Sequence, residues 1–222
     1  MQLYLNDTSP FARLVLVTAL EAGIENVQLR WVDPWESPDA LTEINPFSTV
    51  PTLKPDTELA LFESLLICQY LFGLCRKNAT VKLWDADDLH RLAAGKTLME
   101  VSFRSVVLQR FVAQPESCEW YVRGRASIGR ALACIDNVFY APPENGASDF
   151  SMADLCLALA LSYMRFRLPE LIKKKATGET LSKLERWEKR RSFELTSPQA
   201  LKAKPETLVA LRVGGASRAL SV

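Results

Sequence analysis

Residues Ser9-Pro10-Phe11-Ala12-Arg13 decide how the N-terminal part of the chain folds. They follow the alternating stretch 2–6, which predicts a strand, and they open an apolar pattern over 10–22 that predicts a helix ending at Gly23. Proline is favoured in the first turn of a helix, and a serine before it is a good N-cap. The motif therefore predicts a hydroxyl at the positive end of a helix dipole.

Strands and helices continue to alternate over the next 60 residues. The stretch 27–32 predicts a second strand, which completes a right-handed βαβ unit with parallel strands. A short irregular helix is expected over 38–44, and the strand candidates 50–53 and 58–62 predict an antiparallel hairpin. With the apolar helix that begins at Ser64, the predicted order is β-α-β-α-β-β-α.

Strand signals vanish after Trp84, and the remaining pattern is helical. The sequence Ser151-Met152-Ala153-Asp154 is a capping box, and the segment after it is apolar nearly all round, which predicts a buried helix. We expect helices over 85–112, 120–139, 155–166 and 180–191.

The fold class is therefore α/β plus all-α. We expect an α/β domain over residues 1–76, joined through 76–84 to an all-helical domain over 85–198. The tail 199–222 is expected to be a weak helix or loosely ordered.

Composition limits the partners and the location of the chain. It has 222 residues, 48% of them hydrophobic, and 27 basic against 26 acidic side chains give a net charge of +1. Such a balance provides no broad field for nucleic acid or an anionic membrane, so we expect neither as a partner. The N-terminus lacks a secretory pattern and no apolar run is long enough to span a membrane, which makes the cytoplasm the expected location.

The five cysteines are odd in number and form no C-x-x-C pair. Most of them lie in apolar helical patterns, so we expect buried, reduced thiols and no metal cofactor.

Two further motifs join Ser9 in predicting a ligand site. Pro51 interrupts the strand pattern in Val50-Pro51-Thr52-Leu53 and leaves nearby main chain free to pair with an extended ligand. Glu63-Ser64 places a carboxylate and a hydroxyl at a second helix start, which suits an amino-acid-like group that carries both charges. In this order and spacing, the three motifs predict a site for a thiol-containing peptide.

These motifs, together with Asn45-Pro46 and the capping box, resemble the pattern of glutathione transferases from Met1 to about Pro198. The serine-type bacterial and plant branches are the most similar. The resemblance implies a thioredoxin-like N-terminal domain, a helical C-terminal domain and a homodimer with glutathione bound at each domain junction. It also implies conjugation of the glutathione thiol to a small apolar electrophile.

The resemblance assigns the chemistry to Ser9, which would donate a hydrogen bond to the glutathione sulfur. The thiolate is the nucleophile, and a donor at a helix N-terminus lowers the pKa of a thiol from its free value of about 8.5. No histidine base is needed, and the single histidine, His90, is expected to be structural or solvated. Phe11, next to Ser9, would contribute to the binding site.

The resemblance assigns the peptide to the other two motifs. Val50 and a cis Pro51 would pair with the cysteinyl part of glutathione through main-chain groups. Glu63 would contact the γ-glutamyl ammonium, and Ser64 the γ-glutamyl carboxylate.

Simpler interpretations exist for each motif. Ser9 is also a plain N-cap, with Thr8 as the alternative hydroxyl, and Pro51 also suits an edge strand. Where the family often has Gly-Lys, this chain has Ser48-Thr49, so a basic contact to the glycyl carboxylate is missing or comes from elsewhere. A non-catalytic glutathione-transferase-like binding or assembly protein is therefore the alternative function. Isomerisation or dehalogenation with glutathione as a cofactor would use the same site.

Overall fold

A computed structural model describes residues 1–57, 59–75, 85–143 and 151–214; the linker 76–84 and the end of the tail, 215–222, lie outside the described residues. The chain divides into two compact units. The first contains the described residues up to 75 together with 191–214, and the second contains those from 85 to 190.

The first unit is built on a four-stranded sheet with strand order β2-β1-β3-β4. Its strands are β1 (Gln2–Leu5), β2 (Gln28–Trp31), β3 (Thr52–Lys54) and β4 (Leu61–Phe62). β1 and β2 are parallel, whereas β3 is antiparallel to both β1 and β4. The predicted βαβ unit and hairpin are both confirmed.

Three helices complete the predicted order of this unit: α1 (Pro10–Glu21), α2 (Asp39–Thr42) and α3 (Ser64–Cys75). α1 and α3 pack against each other, and the Thr18 hydroxyl donates to the Cys68 sulfur across 3.3 Å. The core of the unit is aliphatic and fully buried at Leu3, Leu5, Leu14, Leu53, Ile67 and Leu71. Each such side chain contributes about 1.5–3 kcal/mol on burial, so α1 and α3 are held mainly by their apolar faces.

The described residues of the second unit form five α-helices: α4 (Ala86–Phe111), α5 (Glu119–Cys134), α6 (Met152–Arg167), α7 (Pro169–Lys175) and α8 (Gly178–Glu188). α4 packs closely on α6, because a Cβ at Gly95 would lie only 2.8 Å from the Leu157 backbone nitrogen. α6 is buried from Met152 to Met164, as its uniformly apolar sequence predicts. The α/β plus all-α class is confirmed.

The predicted capping box at the start of α6 is present and extends to α4. The Ser151 hydroxyl accepts from the Asp154 N–H, and the Asp154 carboxylate accepts from the Ser151 N–H. Arg91, which is 6% exposed, donates to that carboxylate and lies over the Tyr140 ring at 4.7 Å. Burial opposes the charged form of Arg91, but the neighbouring Asp154, Asp88 and Asp87 carboxylates raise its pKa above the ordinary value. The box therefore has a structural role where α6 meets α4.

The C-terminal segment differs from its predicted assignment. Residues 191–198 were expected in the helical domain and 199–222 as a tail, yet α9 (Arg191–Leu195), α10 (Pro198–Leu201) and α11 (Leu208–Gly214) group with the first unit. Hydrogen bonds between this segment and the rest of the first unit explain the difference. The Arg13 guanidinium donates to Phe193 O at 3.1 Å, Leu29 N–H donates to Glu206 O at 2.8 Å, and Arg212 donates to carbonyls at the end of α1.

Four of the cysteines, Cys68, Cys118, Cys134 and Cys156, are free thiols, as expected. Cys68 and Cys156 are buried, but Cys134 is exposed and Cys118 is half-buried, so the expectation of burial holds for only part of the set. Burial raises the pKa of Cys68 from 9.0 to about 12, a rise that the Thr18 hydrogen bond reduces and the Glu63 charge increases.

Among the described residues, no helix combines the length and the apolar character that crossing a membrane requires.

Phe193→Ala should lower the free energy of unfolding by about 3–5 kcal/mol, because Phe193 is 1% exposed and its removal leaves a cavity where the C-terminal segment meets α1. Urea unfolding followed by circular dichroism measures this. Val213→Ala, at a residue 60% exposed in the same segment, is the matched control and should change little. Equal effects of the two variants would contradict the anchoring role of the segment.

Cys68 should make stability fall at alkaline pH. Its thiol ionises near 9.0 in the unfolded chain and near 12 in the native one, so the unfolded state loses its proton first and unfolding becomes more favourable as the pH rises through this interval. Unfolding free energies across this range, for the wild type and Cys68→Ala, measure the effect. An identical pH dependence in both would contradict it.

Candidate active site

Ser9 is the N-cap of α1. Its Oγ accepts a hydrogen bond from the Ala12 N–H at 3.2 Å, and its own N–H donates to Asn6 Oδ1 at 2.8 Å. The residue is 8% exposed. The simpler interpretation of Ser9 as a cap is thus correct, and it leaves the hydroxyl proton without an acceptor among the described contacts. A hydroxyl that accepts one hydrogen bond can still donate another, so the cap fixes the direction in which the donor points.

The sheet brings the three motifs to one edge. β1 and β3 pair Tyr4 with Thr52, and β3 and β4 pair Thr52 with Phe62. Continuing both registers by two residues aligns the end of β1, Val50 and Ser64 at the same side of the sheet. Because strand register fixes position across a sheet, the loop that leads to Ser9 and the other two motifs share this edge.

The Val50-Pro51 peptide bond is cis, as the family resemblance implies. Pro51 is buried and Val50 is half-buried. Among the described loop contacts, no backbone hydrogen bond uses the N–H or the C=O of Val50. The availability of this main chain for a ligand stays a prediction.

A buried asparagine organises the loop before Pro51. Asn45 is 0% exposed, and its Nδ2 lies 3.2 Å from Thr49 O, 3.0 Å from Thr49 Oγ1 and 2.8 Å from Thr52 Oγ1. The Thr52 hydroxyl donates to Thr49 O at 2.8 Å. Asn45-Pro46 was noticed in the sequence as a motif, but its role as the centre of this network was missed because the partners lie four and seven residues away.

Ser48 explains part of the departure from the family pattern. Its φ of 48° lies in the left-handed region, which glycine adopts without steric cost and other residues adopt at a cost of about 1–2 kcal/mol. The Ser48 hydroxyl donates to Pro34 O at 3.1 Å and offsets some of that cost. The next residue, Thr49, is exposed and uncharged, and residues 44–53 contain no charged side chain.

The third motif is a strained helix start. Glu63 has a φ of 79°, a conformation that is rare for a residue with a side chain and is typically found at functional sites. The Ser64 hydroxyl donates to Glu63 Oε1 and the Leu65 N–H donates to Glu63 Oε2, both at 3.2 Å. Glu63 is exposed, whereas Ser64 is 2% exposed. Ser64 thus orients the carboxylate beside it, and N–H groups at the start of α3 have no intrahelical partner.

Two other residues were considered in the sequence: Phe11, close to Ser9 in the chain, and His90, in the second unit. Phe11 is half-buried in the first turn of α1, two residues from Ser9. His90 is exposed on α4, which agrees with the expectation of a solvated histidine. Asn6 was not singled out by the sequence, although an asparagine three residues before a predicted N-cap is a recognisable turn signal. Within the described ranges, no group of histidine, cysteine and acidic residues has the arrangement of a metal site.

Comparison with known proteins shows which family the sequence around these motifs is similar to. Residues 8–72 match the family model of the glutathione S-transferase (GST), N-terminal domain, which covers all three motifs. The chain is 25% identical over 173 residues to the uncharacterized GST-like protein YibF of Escherichia coli, an alignment covering 75% of this chain and 83% of that protein. It is 38% identical over 73 residues to the stringent starvation protein A homolog of Haemophilus influenzae, which covers 32% of each.

A solved structure extends the likeness to the whole fold. A glutathione transferase family member from Pseudomonas fluorescens, crystallised with bound glutathione, superposes with a TM-score of 0.76 at 26% sequence identity. The alignment covers 89% of this chain and 98% of that one. The resemblance found in the motifs is confirmed, while the serine-type branch stays a prediction. Residues 8–72 belong to the glutathione S-transferase N-terminal domain family, and the chain has the thioredoxin-like and helical fold of the glutathione transferases.

Proposed function

We propose that the protein is a glutathione transferase that ionises the thiol of glutathione through Ser9 and directs it at a small apolar electrophile. The observation that carries the proposal is the Ser9 hydroxyl, fixed as an acceptor by the Ala12 N–H with its own proton uncommitted among the described contacts. A hydroxyl held in this way at a helix N-terminus is a donor for an anion.

The chemistry needs no further base. A hydrogen bond to a charged group contributes about 1.5–3 kcal/mol, which corresponds to roughly one to two units of thiol pKa. The thiol proton passes to solvent, the thiolate forms a carbon–sulfur bond with the electrophile, and the leaving group departs with the electron pair. Phe11, beside Ser9, provides an apolar surface next to the sulfur.

The peptide part of glutathione is assigned to the other two motifs. The Val50 main chain, free of described loop hydrogen bonds, suits pairing with the cysteinyl backbone. Glu63 suits the γ-glutamyl ammonium, because its carboxylate is exposed and carries a negative charge at the helix start. The N–H groups at Ser64 and the start of α3 suit the γ-glutamyl carboxylate. The bound glutathione in the Pseudomonas fluorescens relative supports glutathione as the ligand.

A non-catalytic binding or assembly protein is the second candidate. One observation favours it: residues 44–53 provide no cation for the glycyl carboxylate. Such a protein would bind glutathione without turnover.

We further propose a cytoplasmic homodimer with a role in detoxification. Phe47 and Phe62 are 70% and 37% exposed and touch edge to face, with ring centroids 5.7 Å apart. Paired exposed aromatic rings favour burial against another protein surface, and the family resemblance makes a second copy the proposed partner. Free thiols suit the reducing cytoplasm.

Ser9→Ala should raise the pKa of the bound glutathione thiol by about one to two units, because the donor is lost. Ultraviolet absorbance of the bound thiolate across a pH series measures this, and turnover of an activated aryl halide should fall about tenfold or more at neutral pH. Glutathione affinity, measured by calorimetry, should change less than turnover does.

Two controls separate the donor from the cap. Ser9→Asp keeps an acceptor for the Ala12 N–H but places a negative charge beside the sulfur, so it should preserve stability and suppress turnover. Thr8→Ala removes the neighbouring hydroxyl and should leave the thiol pKa unchanged. Binding of glutathione without turnover, unaltered by Ser9→Ala, would favour the second candidate, and no binding at all would refute both.

Phe47→Glu should convert the dimer into a monomer, because a charge in an apolar contact is costly to bury. Sedimentation velocity gives the oligomeric state directly. Val213→Glu, at a residue 60% exposed in the same unit, is the control and should remain dimeric. A wild-type monomer would contradict the dimer without bearing on thiol activation.

A further inference from the structure

The loop between α2 and β3 contains a hydrogen-bond network that is closed on itself. Asn45 donates toward Thr49 O, Thr49 Oγ1 and Thr52 Oγ1, and Thr52 donates to Thr49 O. The Asn45 side-chain oxygen accepts from the Phe47 N–H at 3.1 Å. Asn45 and Thr52 are both 0% exposed, so the hydrogen bond between them is shielded from solvent, whereas the hydrogen bonds to Thr49 are only partly buried.

The hydrogen bonds of the network lie on both sides of Val50 in the chain but do not include its backbone groups. It occupies the carbonyl of Thr49 and the hydroxyl of Thr52, which flank Val50-Pro51 on the two sides. Among the described loop contacts, the N–H and C=O of Val50 take no part. The chain is thus fixed immediately before and after the main-chain groups that the proposed function assigns to glutathione.

We propose that Asn45 and Thr52 are positioning residues that set the affinity for the peptide backbone of glutathione by holding Val50 in place. The inference rests on the proposed function. It also divides the site into two separable parts, since the network shares no described hydrogen bond with Ser9, whose partners are Asn6 and Ala12. Thr52 should govern binding, and Ser9 should govern ionisation.

Preorganisation explains why a buried network would affect affinity. A loop that must be ordered on binding loses conformational entropy at that moment, whereas a loop already fixed does not. The absence of a cation in residues 44–53 increases this dependence, because main-chain pairing then provides a larger share of the binding energy.

A matched pair at position 52 tests the inference. Thr52→Val keeps the shape of the side chain and removes its hydroxyl, while Thr52→Ser keeps the hydroxyl. We expect Thr52→Val to raise the KM and the Kd for glutathione about tenfold, with kcat at saturation and the pKa of the bound thiol unchanged. Thr52→Ser should restore wild-type affinity. Ser9→Ala should give the opposite pattern, with a shifted pKa and a smaller change in binding.

The outcomes are distinguishable. A Thr52→Val protein that is folded by circular dichroism and binds glutathione like the wild type overturns the inference, as does a Thr52→Val shift in thiol pKa equal to that of Ser9→Ala. If Thr52→Val does not fold, Thr49→Val removes one acceptor at an exposed residue, and an unchanged Kd in that variant overturns the inference instead. If the wild type binds no glutathione, the proposed function fails and the inference fails with it.

Discussion

The register between β1 and β3 is the constraint on which the candidate site depends. It pairs Leu3 with Leu53 and Tyr4 with Thr52, and both leucines are essentially buried in the core. A slip of one residue would turn Leu53 toward the opposite face, so the hydrophobic core fixes the register strongly. As a result, the chain that leads to Ser9 and the main chain of Val50 meet at one edge without any direct contact being needed to bring them together. Core packing therefore determines the position of groups that belong to the surface.

Two helices begin at this edge, and the hydrogen bonds at their N-termini differ. α1 begins with a serine cap in extended conformation, so its oxygen satisfies one exposed N–H and its proton remains available. α3 begins after Glu63 in a left-handed conformation, and the Glu63 carboxylate accepts from the hydroxyl of Ser64 and the N–H of Leu65. The first arrangement provides a neutral donor and the second a fixed negative charge. The proposed ligand carries both a thiol and an ammonium, which explains why the two motifs are informative together and weak singly.

Much of the N-terminal architecture was predictable from sequence because each signal was local. The alternation of Leu3 and Leu5 lies within the strand that it predicts. Ser9-Pro10 and Gly23 lie at the two ends of the helix that they predict. The C-terminal segment was not predictable in this way. Phe193 and Arg212 contact α1 across more than 170 residues, and a short apolar pattern does not reveal which surface covers it. The same limit applies to the candidate site, where Ser9 and Glu63 were found from helix-start chemistry, whereas the role of Asn45 depends on a folded loop.

The loop 44–53 also illustrates how two departures from a family pattern can have one physical consequence. Ser48 occupies a left-handed position that favours glycine, and its hydrogen bond to the Pro34 carbonyl offsets part of the steric cost. Thr49 contributes its carbonyl and hydroxyl to that network and brings no charge. A basic residue at position 49 would add an exposed ion pair, which typically contributes less than about 1 kcal/mol, and would remove a hydroxyl from the network. The sequence of this loop is thus consistent with the proposed site, in which the ligand binds through a rigid main chain more than through charge.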